Sequence, residues 1–261
     1  MAVTNGWGKG VDNNSIQWGR GKDNATNNWG KIYETSASGD TALEVSTPSF
    51  SNTKSLDFDG VDDYVTIGTP TNLKITGNVS VSAWVKTTSS NTMILFSGFD
   101  KWGLYFVSGK IRFNFRNASD AFKYVESSGT INDGNWHHVL GVNDQTNLKI
   151  YVDGSLSGSN TDGSAGIVGT SDTRIGARYN NSLYISGNID EVAIWNNDQS
   201  ANASSIYNSG TPNDLTSISP LAWWRNGDGD TYPTLTDNGS GGNNGTMTNM
   251  VSGDIVTDVP T

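Results

Sequence analysis

The 261-residue sequence contains no cysteine, and it has only 6 prolines and 2 histidines. Without cysteine the chain cannot form disulfides, cysteine-ligated zinc sites or a catalytic thiolate, so packing must stabilise it, helped by a metal ion or by oligomerisation. Basic residues are also scarce: 16 Lys and Arg stand against 26 Asp and Glu and leave a net charge of −10. Binding to phosphates needs clustered Lys and Arg, so we expect no nucleic-acid partner.

Long apolar stretches are missing as well. A membrane-spanning helix needs about 20 consecutive apolar residues, and no part of the chain comes near that length. The first ten residues, MAVTNGWGKG, lack the apolar core of a secretion signal. We therefore expect no membrane partner and no export through a signal of that kind.

The sequence does contain many short β-branched and aromatic runs separated by Gly, Asn, Ser and Thr, which is typical of an all-β sandwich. Residues 78–86 and 110–116 alternate between apolar and polar side chains, as strands with one buried face do. A short polar turn separates residues 136–143 from residues 147–153 and predicts a hairpin. Residues 200–208 predict one short helix.

A further strand is predicted over residues 187–196, GNIDEVAIWN. Its apolar residues fall on both faces of an extended chain, which indicates a central strand covered on both sides. Asp190 lies within this run. A buried carboxylate needs a cation, a set of strong hydrogen bonds or a route to water, so Asp190 poses a functional question.

The N-terminal residues 1–44 contain a repeated Trp-Gly motif in which Trp7, Trp18 and Trp29 stand eleven residues apart. Interior glycines disfavour a helix, so we expect an extended or looped arm. The repeat has too few apolar residues to form its own core, which predicts that the three tryptophans anchor the arm on another subunit, on a partner surface or on the main domain. The alternative is a flexible tether with exposed tryptophans.

Five motifs occur in the order in which they occur in laminin-G-like domains: FDGVDDYV (58–65), SVSAWVK (80–86), GNWHHVLGVND with LKIYVDG (134–154), RIGAR (174–178) and GNIDEVAIWN. The ordered set resembles the laminin-G-like domains of the concanavalin A-like lectin and glucanase superfamily. This resemblance implies an all-β, two-sheet antiparallel jelly-roll sandwich over residues 45–210, with one concave face.

The C-terminal residues 211–261 extend the domain beyond its expected last strand. Within them, residues 221–248 resemble the strand and acidic loop that usually precede the FDG motif in such domains. We therefore expect this segment to fold back onto the same sandwich in the place of a first strand. The alternative is the start of a truncated second domain.

The Trp-Gly repeats and the passage SGTPNDLTSISPLAWWRNGD (209–228) resemble structural proteins of tailed phages, particularly marine ones. The resemblance implies a non-enzymatic protein on the exterior of a virion, as a head decoration, a head fibre or a tail-associated subunit. Its partners would be other virion proteins, further copies of itself, for example in a trimer, and a cell-surface glycan. The alternatives are a free extracellular carbohydrate-binding or adhesion module and a glycan hydrolase.

Catalytic residues are hard to find in the sequence. Glucanases of the superfamily place paired glutamates on one strand. None of the four glutamates is in such a pair: Glu34, Glu44, Glu126 and Glu191. The adjacent His137 and His138 point to opposite faces of a strand and cannot share one metal ion. We therefore expect no enzymatic activity.

A calcium site is the one cofactor that the resemblance implies. Asp190 occupies the position of a calcium-binding aspartate in laminarinase-like relatives, and Asp59 begins a turn expected beside it. Asp62, Asp63 and the carbonyl of Gly60 complete the candidate set, because Ca²⁺ takes several carboxylate and carbonyl oxygens at once. The alternative is that Asp190 only accepts backbone hydrogen bonds.

Sugar binding would use exposed aromatic rings beside planar polar groups, because the apolar face of a sugar stacks on a ring and its hydroxyls need donors and acceptors. Any of these side chains can instead serve core or edge packing. The candidates in the predicted loops are Trp102, Tyr124, Arg178, Tyr179 and Tyr184.

Overall fold

The computed structural model describes residues 50–261 in full and, before them, the backbone of two strands, β1 (Gln17–Gly19) and β2 (Gly30–Ile32). These two strands pair antiparallel, and residues 1–50 and 51–261 form two compact units. The side chains of Trp7, Trp18 and Trp29 lie outside the described part of the chain. Their anchoring role stays a prediction.

Sixteen further strands follow in the second unit. They are β3 (Ser55–Asp59), β4 (Tyr64–Gly68), β5 (Val79–Lys86), β6 (Met93–Gly98), β7 (Trp102–Val107), β8 (Lys110–Arg116), β9 (Phe122–Glu126), β10 (Trp136–Asn143), β11 (Leu148–Val152), β12 (Ser155–Asn160), β13 (Thr173–Ile175), β14 (Ser186–Trp195), β15 (Ala222–Trp224), β16 (Thr234–Leu235), β17 (Gly245–Thr248) and β18 (Ile255–Val256).

The strands form two antiparallel sheets. The first sheet has the order β12-β11-β10-β5-β14-β3-β18, with β15 also paired to β14, and the second has the order β16-β17-β4-β13-β6-β7-β8-β9. Apolar side chains from the inner faces of both sheets make one buried core. The prediction of an all-β, two-sheet jelly-roll sandwich is confirmed, and so is the hairpin, in which Asn143 of β10 faces Leu148 of β11.

The predicted helix is present as α1 (Ala203–Tyr207), which has a 3-10 turn on either side, Ser200–Asn202 and Asn208–Gly210. Further 3-10 turns occupy Thr71–Leu73, Thr216–Ile218 and Ser252–Asp254. Within residues 50–261, none of the helices has the length and apolar character needed to cross a membrane.

Strand β14 is the central strand that the sequence predicts. It lies between β5 and β3, and every residue from Ile189 to Trp195 is buried. The pairing with β5 shifts by one residue between Asp190 and Ala193, which is a β-bulge. Glu191 sits in this bulge with a φ of 49°, a left-handed conformation that few residues other than glycine adopt. The bulge places two acidic residues side by side in the middle of a sheet.

The C-terminal segment contributes four strands to the sandwich formed by the preceding residues. β15 pairs with β14, β17 pairs with β4 and with β16, and β18 pairs with β3. Trp223 and Trp224 of β15 are both buried. Residues 211–261 therefore supply part of both sheets.

Candidate functional site

The outward surface of the second sheet carries an unusual set of side chains. Along β8, Ile111, Phe113 and Phe115 are buried in the core, as their alternation predicts. Arg112, Asn114 and Arg116 alternate with them, so these side chains project to the opposite side of the sheet. We call the outward surface of β4, β13 and β6 to β9, with the loops beside it, the outer face.

One register row of polar side chains crosses the outer face. Tyr124 on β9 faces Asn114 on β8, and the row continues through β7 to Ser97 on β6. Ser97 in turn faces Arg174 on β13, which faces Thr66 on β4. Hydroxyl, amide and guanidinium groups thus lie in one row across the sheet, with an aromatic ring at one end and with Gly103, which has no side chain, between Asn114 and Ser97.

Arginines on this face are paired with aromatic rings. Residues 50–261 contain five arginines, and four of them lie on the outer face, each with its guanidinium carbon near a ring centroid. The pairs are Arg112 over Tyr124 at 4.2 Å, Arg116 over Phe122 at 5.7 Å, Arg174 over Tyr64 at 4.3 Å and Arg178 over Tyr179 at 5.5 Å. Stacking fixes the guanidinium plane while its edge can still donate hydrogen bonds.

Loop residues Asp100 and Arg178 close over part of this face. Arg178 donates from Nε and Nη2 to the two carboxylate oxygens of Asp100, at 2.9 and 3.1 Å. Hydrogen bonding to Asp100 raises the pKa of Arg178. Burial raises the pKa of the nearby Tyr105 to about 12, opposed by a hydrogen bond with Ser97. The Tyr105 hydroxyl therefore stays neutral, and it lies close to the middle of the polar row.

Three polar atoms of the row lack a hydrogen-bond partner of good geometry among the described residues. They are Ser97 Oγ, Asn114 Oδ1 and Arg174 Nε, and all three atoms are buried. Buried polar groups are normally paired with protein, water or ligand atoms. Three such atoms in one register row set the outer face apart from the rest of the sheet.

A groove of about 510 Å³ adjoins the outer face at the edge of the sheet, between β9 and β12. The rings of Phe122 and Tyr124 line it and are 49% and 41% exposed. Lys123 and Asp162 form an ion pair of 2.8 Å at its wall, and Asn160 donates to the carbonyl of Tyr124. The groove combines two exposed rings with several polar groups.

A family model described as the concanavalin A-like lectin/glucanases superfamily (Laminin_G_3) matches residues 59–206, more than half of the chain. This chain belongs to that superfamily. A rat protein, the sushi, von Willebrand factor type A, EGF and pentraxin domain-containing protein 1, is 26% identical over 172 residues, which are 62% of this chain and 4% of that protein.

The chain is also similar to solved structures. A candidate carbohydrate-binding protein from Bacteroides ovatus superposes with a TM-score of 0.64 at 17% identity, covering 81% of this chain and 62% of the other. Domains LG4-5 of the mouse laminin α1 chain give a TM-score of 0.45 at 16% identity, covering 63% and 47%. A heptameric pentraxin from Limulus polyphemus gives 0.45 at 18% identity, covering 60% and 82%.

The residues that the sequence predicted for sugar binding in this laminin-G-like domain lie in different parts of the structure. Trp102 was placed wrongly, because its side chain is on the inner face, only 2% exposed, and packs on Phe96 at 5.4 Å. Tyr124, Arg178 and Tyr179 lie on the outer face. Their role in sugar binding stays a prediction.

Tyr184 lies at the same end of the outer face as Tyr64, with the two rings 6.3 Å apart. It too remains only a predicted sugar contact. Arg174 is the main residue that sequence reasoning missed. It lies within the RIGAR motif, between Thr173 and Ile175 of the short buried strand β13, and a charged residue next to Ile175 in such a strand was the available signal.

The candidate metal residues divide into two separate groups. The carboxylates of Asp59, Asp62 and Asp63 lie within 4.8 Å of one another. Asp59 Oδ1 accepts hydrogen bonds from the backbone amides of Val61 and Asp62, which holds the turn. Gly60 adopts a φ of 77°, and a Cβ there would approach Ser186 Cβ to 2.7 Å, so glycine is required in this turn.

The expectation that Asp59 lies beside Asp190 is wrong. Asp59 faces Ser186 in the pairing of β3 with β14, so Asp190 lies four register positions further along the strand. Asp190 instead accepts hydrogen bonds from Asn52 Nδ2 and from the amide of Glu191, both at 2.8 Å. Burial, followed by the charge of Glu191, raises the pKa of Asp190. This environment matches the hydrogen-bonded alternative for Asp190.

The two glutamates in residues 50–261 are both held in ion pairs. Glu126 contacts Lys110 and Arg112 at 3.3 and 2.9 Å. Glu191 is only 4% exposed, and it accepts hydrogen bonds from Trp223 Nε1 and Arg225 Nε. Burial raises the pKa of Glu191 to about 7, against the lowering effect of Arg225. Each glutamate carboxylate is therefore held by hydrogen bonds or ion pairs to neighbouring side chains of the fold.

The two histidines face opposite sides of β10, as expected. His137 contacts Asp153 and Asp133 at 2.8 and 3.1 Å, and hydrogen bonding to Asp153 raises its pKa. His138 is 1% exposed and packs against Trp84, with the ring centroids 5.3 Å apart and the rings tilted by 59°. Burial lowers the pKa of His138 to about 4. Neither ring is placed to share a metal ion with the other.

Proposed function

We propose that this chain is a non-enzymatic carbohydrate-binding protein of a virion, which binds sugar through the outer face. The observation that carries the proposal is the set of four arginines, each stacked on an aromatic ring, around one polar row. Sugars need this combination, because their apolar ring faces pack on aromatic rings while their hydroxyls bond to planar donors and acceptors. Asn114 offers an acceptor, and the arginines offer fixed donors.

The comparisons support sugar binding only through shared architecture. The protein from Bacteroides ovatus is described as a candidate carbohydrate-binding protein, and it has the same sandwich over 81% of this chain. Two proteins with the same fold need not bind the same ligand, so the proposal for this chain rests on the side chains of its own outer face.

The non-enzymatic part of the proposal rests on the glutamates. A retaining glycosidase needs two carboxyl groups about 5 Å apart that can reach one glycosidic bond. Glu126 on β9 is engaged by Lys110 and Arg112, and Glu191 is buried in the first sheet with Trp223 and Arg225. A hydrolase is therefore the less favoured alternative.

The placement on a virion exterior rests on the phage-like repeats of residues 1–44 and the passage 209–228. A free extracellular adhesion module is the alternative. Removing residues 1–44 should abolish incorporation into particles, measured by the protein content of purified virions, while glycan binding by the remaining domain persists. Incorporation of the shortened chain at the normal level would contradict the virion role of the arm.

The binding proposal predicts that Tyr124→Ala weakens the interaction with a glycan selected on an array by about fivefold, because one stacking contact is worth roughly 1 kcal/mol. Titration calorimetry with the selected glycan measures the change. Tyr151→Ala is the matched control, because Tyr151 on β11 projects from the opposite side of the sandwich. Equal losses in both variants, or no binding to any arrayed glycan, would contradict the proposal.

We also propose a structural Ca²⁺ ion at Asp59, Asp62 and Asp63. The three residues fit such an ion, because their carboxylates converge within 4.8 Å and burial raises the pKa of Asp63, a sign of negative charge held in a confined space. Among the described residues, no backbone amide donates to the carboxylate of Asp62, and the carbonyl of Gly60 lies in the same turn.

Calcium binding predicts that a chelator lowers the midpoint of thermal unfolding by several degrees, since loss of a ligand that binds only the folded state destabilises it. Asp62→Asn should remove this effect, because it deletes one ligand charge while keeping the side-chain size. Asp214→Asn, in another exposed loop, serves as the control. An unchanged midpoint with chelator, together with no calcium by elemental analysis, would rule out the site.

A further inference from the structure

The four arginines of the outer face are unequally neutralised. Arg112 contacts Glu126 through Nε at 3.0 Å and Nη2 at 2.9 Å, and Arg178 binds both oxygens of Asp100. These two guanidinium groups have close carboxylate partners. They act as fixed parts of the protein surface.

Arg116 and Arg174 have carboxylates only at longer ion-pair distances. Arg116 Nη1 donates to the carbonyl of Asp120 at 3.0 Å and lies 3.8 Å from Asp120 Oδ1, which is held by Lys101 at 2.9 Å. Arg174 Nη2 lies 3.6 Å from Asp172, whose side chain is 43% exposed. Both ion-pair distances exceed that of a hydrogen bond. Two positive charges on this face are therefore paired with carboxylates only through longer ion pairs without a direct hydrogen bond.

Burial increases the free-energy cost of leaving the positive charge of Arg174 incompletely neutralised. Arg174 is 7% exposed, and its Nη1 is used by Asn181 Oδ1 at 2.7 Å and by the carbonyl of Arg178 at 3.2 Å. Both acceptors are neutral, and Nε has no partner in the described part of the chain. A buried charge is stable only when it is paired, so this side chain is suited to an anionic partner.

A sugar carboxylate fits this requirement. In register, Arg174 lies three strands from Asn114, and Arg116 follows Asn114 by two residues on β8, on the same face. A ring packed along this row can present hydroxyls to Asn114 while a carboxylate meets a guanidinium edge, which is the strongest type of hydrogen bond to oxygen. The overall charge of −10 makes such local basicity a specific feature of the face.

We propose that the outer face selects acidic sugars and that Arg174 and Arg116 recognise their carboxylates. This inference rests on the proposed carbohydrate binding and narrows its ligand class to uronic or sialic acids. It predicts that the sugar in its acid form binds at least tenfold more tightly than its neutral methyl ester.

The test compares oligogalacturonate, a glucuronate-containing oligosaccharide and sialyllactose, each as the acid and as the methyl ester, by titration calorimetry with the full chain. Arg116→Gln and Arg174→Gln should reduce the ratio of acid to ester affinity toward one while ester binding persists. Arg116→Gln alters a partly exposed side chain, so it keeps the test valid where Arg174→Gln unfolds. Lys149→Gln on the opposite side of the sandwich should leave the ratio unchanged.

Equal binding of acid and ester forms would overturn the acidic-sugar inference and leave carbohydrate binding intact. Absence of binding by every acid, ester and neutral glycan would overturn the proposed function itself, and the inference with it. An unchanged ratio of acid to ester affinity in both arginine variants would show that other residues recognise the carboxylate. That result would also overturn the assignment of Arg116 and Arg174 to this role.

Discussion

Replacing Trp224 with alanine is expected to lower the free energy of unfolding by about 4 kcal/mol, as large-to-small changes at buried aromatic residues do. Trp224 is fully buried, pairs with Val192 across β15 and β14, and stacks on Phe96 of the opposite sheet at 6.5 Å. Its Nε1 also donates to the carbonyl of Asn243 at 2.8 Å. The substitution leaves a cavity between the sheets and a buried carbonyl without a donor.

Urea unfolding followed by circular dichroism measures this loss. Trp136→Ala is the matched control, because Trp136 also donates a hydrogen bond, to Asp258 at 3.0 Å, but lies partly exposed at the start of β10. We expect about 1 kcal/mol there. Equal losses in the two variants would mean that the C-terminal strands are dispensable to the core.

The second large effect concerns pH. Folding raises the pKa of Glu191 from 4.5 to about 7, so the folded chain holds a proton there that the unfolded chain releases. The resulting stabilisation is complete below pH 4.5 and is lost as the pH rises through 7. Its size is roughly 3 kcal/mol, since each pKa unit corresponds to about 1.4 kcal/mol.

Glu191→Gln should therefore flatten the fall in stability between pH 4 and pH 8, measured by urea unfolding at several pH values. Glutamine keeps an acceptor for Trp223 Nε1 but cannot titrate. The slope should decrease rather than vanish, because burial raises the pKa of Asp190 in the same direction. Parallel pH profiles for the variant and the unchanged chain would contradict the assignment.

His138→Phe provides the control of opposite sign. Burial lowers the pKa of His138 to about 4, so its contribution is present above pH 6.5 and is lost as the pH falls through 4. In the unsubstituted protein, the pH-dependent contributions of Glu191 and His138 to folding stability have opposite signs and partly cancel. Phenylalanine preserves the tilted ring contact with Trp84 and removes the titration, so the stability of this variant should fall more steeply with rising pH.

Much of the fold was predictable because periodicity reports which side chains are buried. The alternation of Ile111, Phe113 and Phe115 located both faces of β8 before any pairing was known. In β7 the run WGLYFV is apolar at nearly every position, so periodicity could not tell that Trp102 points inward. The same ambiguity explains why that residue was wrongly assigned to sugar binding.

The metal residues show a second limit of sequence reasoning. Asp59, Asp62 and Asp63 share one short turn, so the sequence was enough to predict that their carboxylates lie close together. The family resemblance also joined Asp190 to them, although the antiparallel register offsets that residue by four positions. Register depends on backbone pairing between segments more than a hundred residues apart, and no local pattern encodes it.

The sequence by itself determined the class of fold, the central position of β14 and the scarcity of groups suited to catalysis. The tertiary structure decided which side chains meet. Arg116 and Arg174 come from strands that are not neighbours in the chain, and the order β8-β7-β6-β13 places them on one face. The physical reason is that strand order and register arise from long-range hydrogen bonding and packing, whereas composition and periodicity are local properties of the chain.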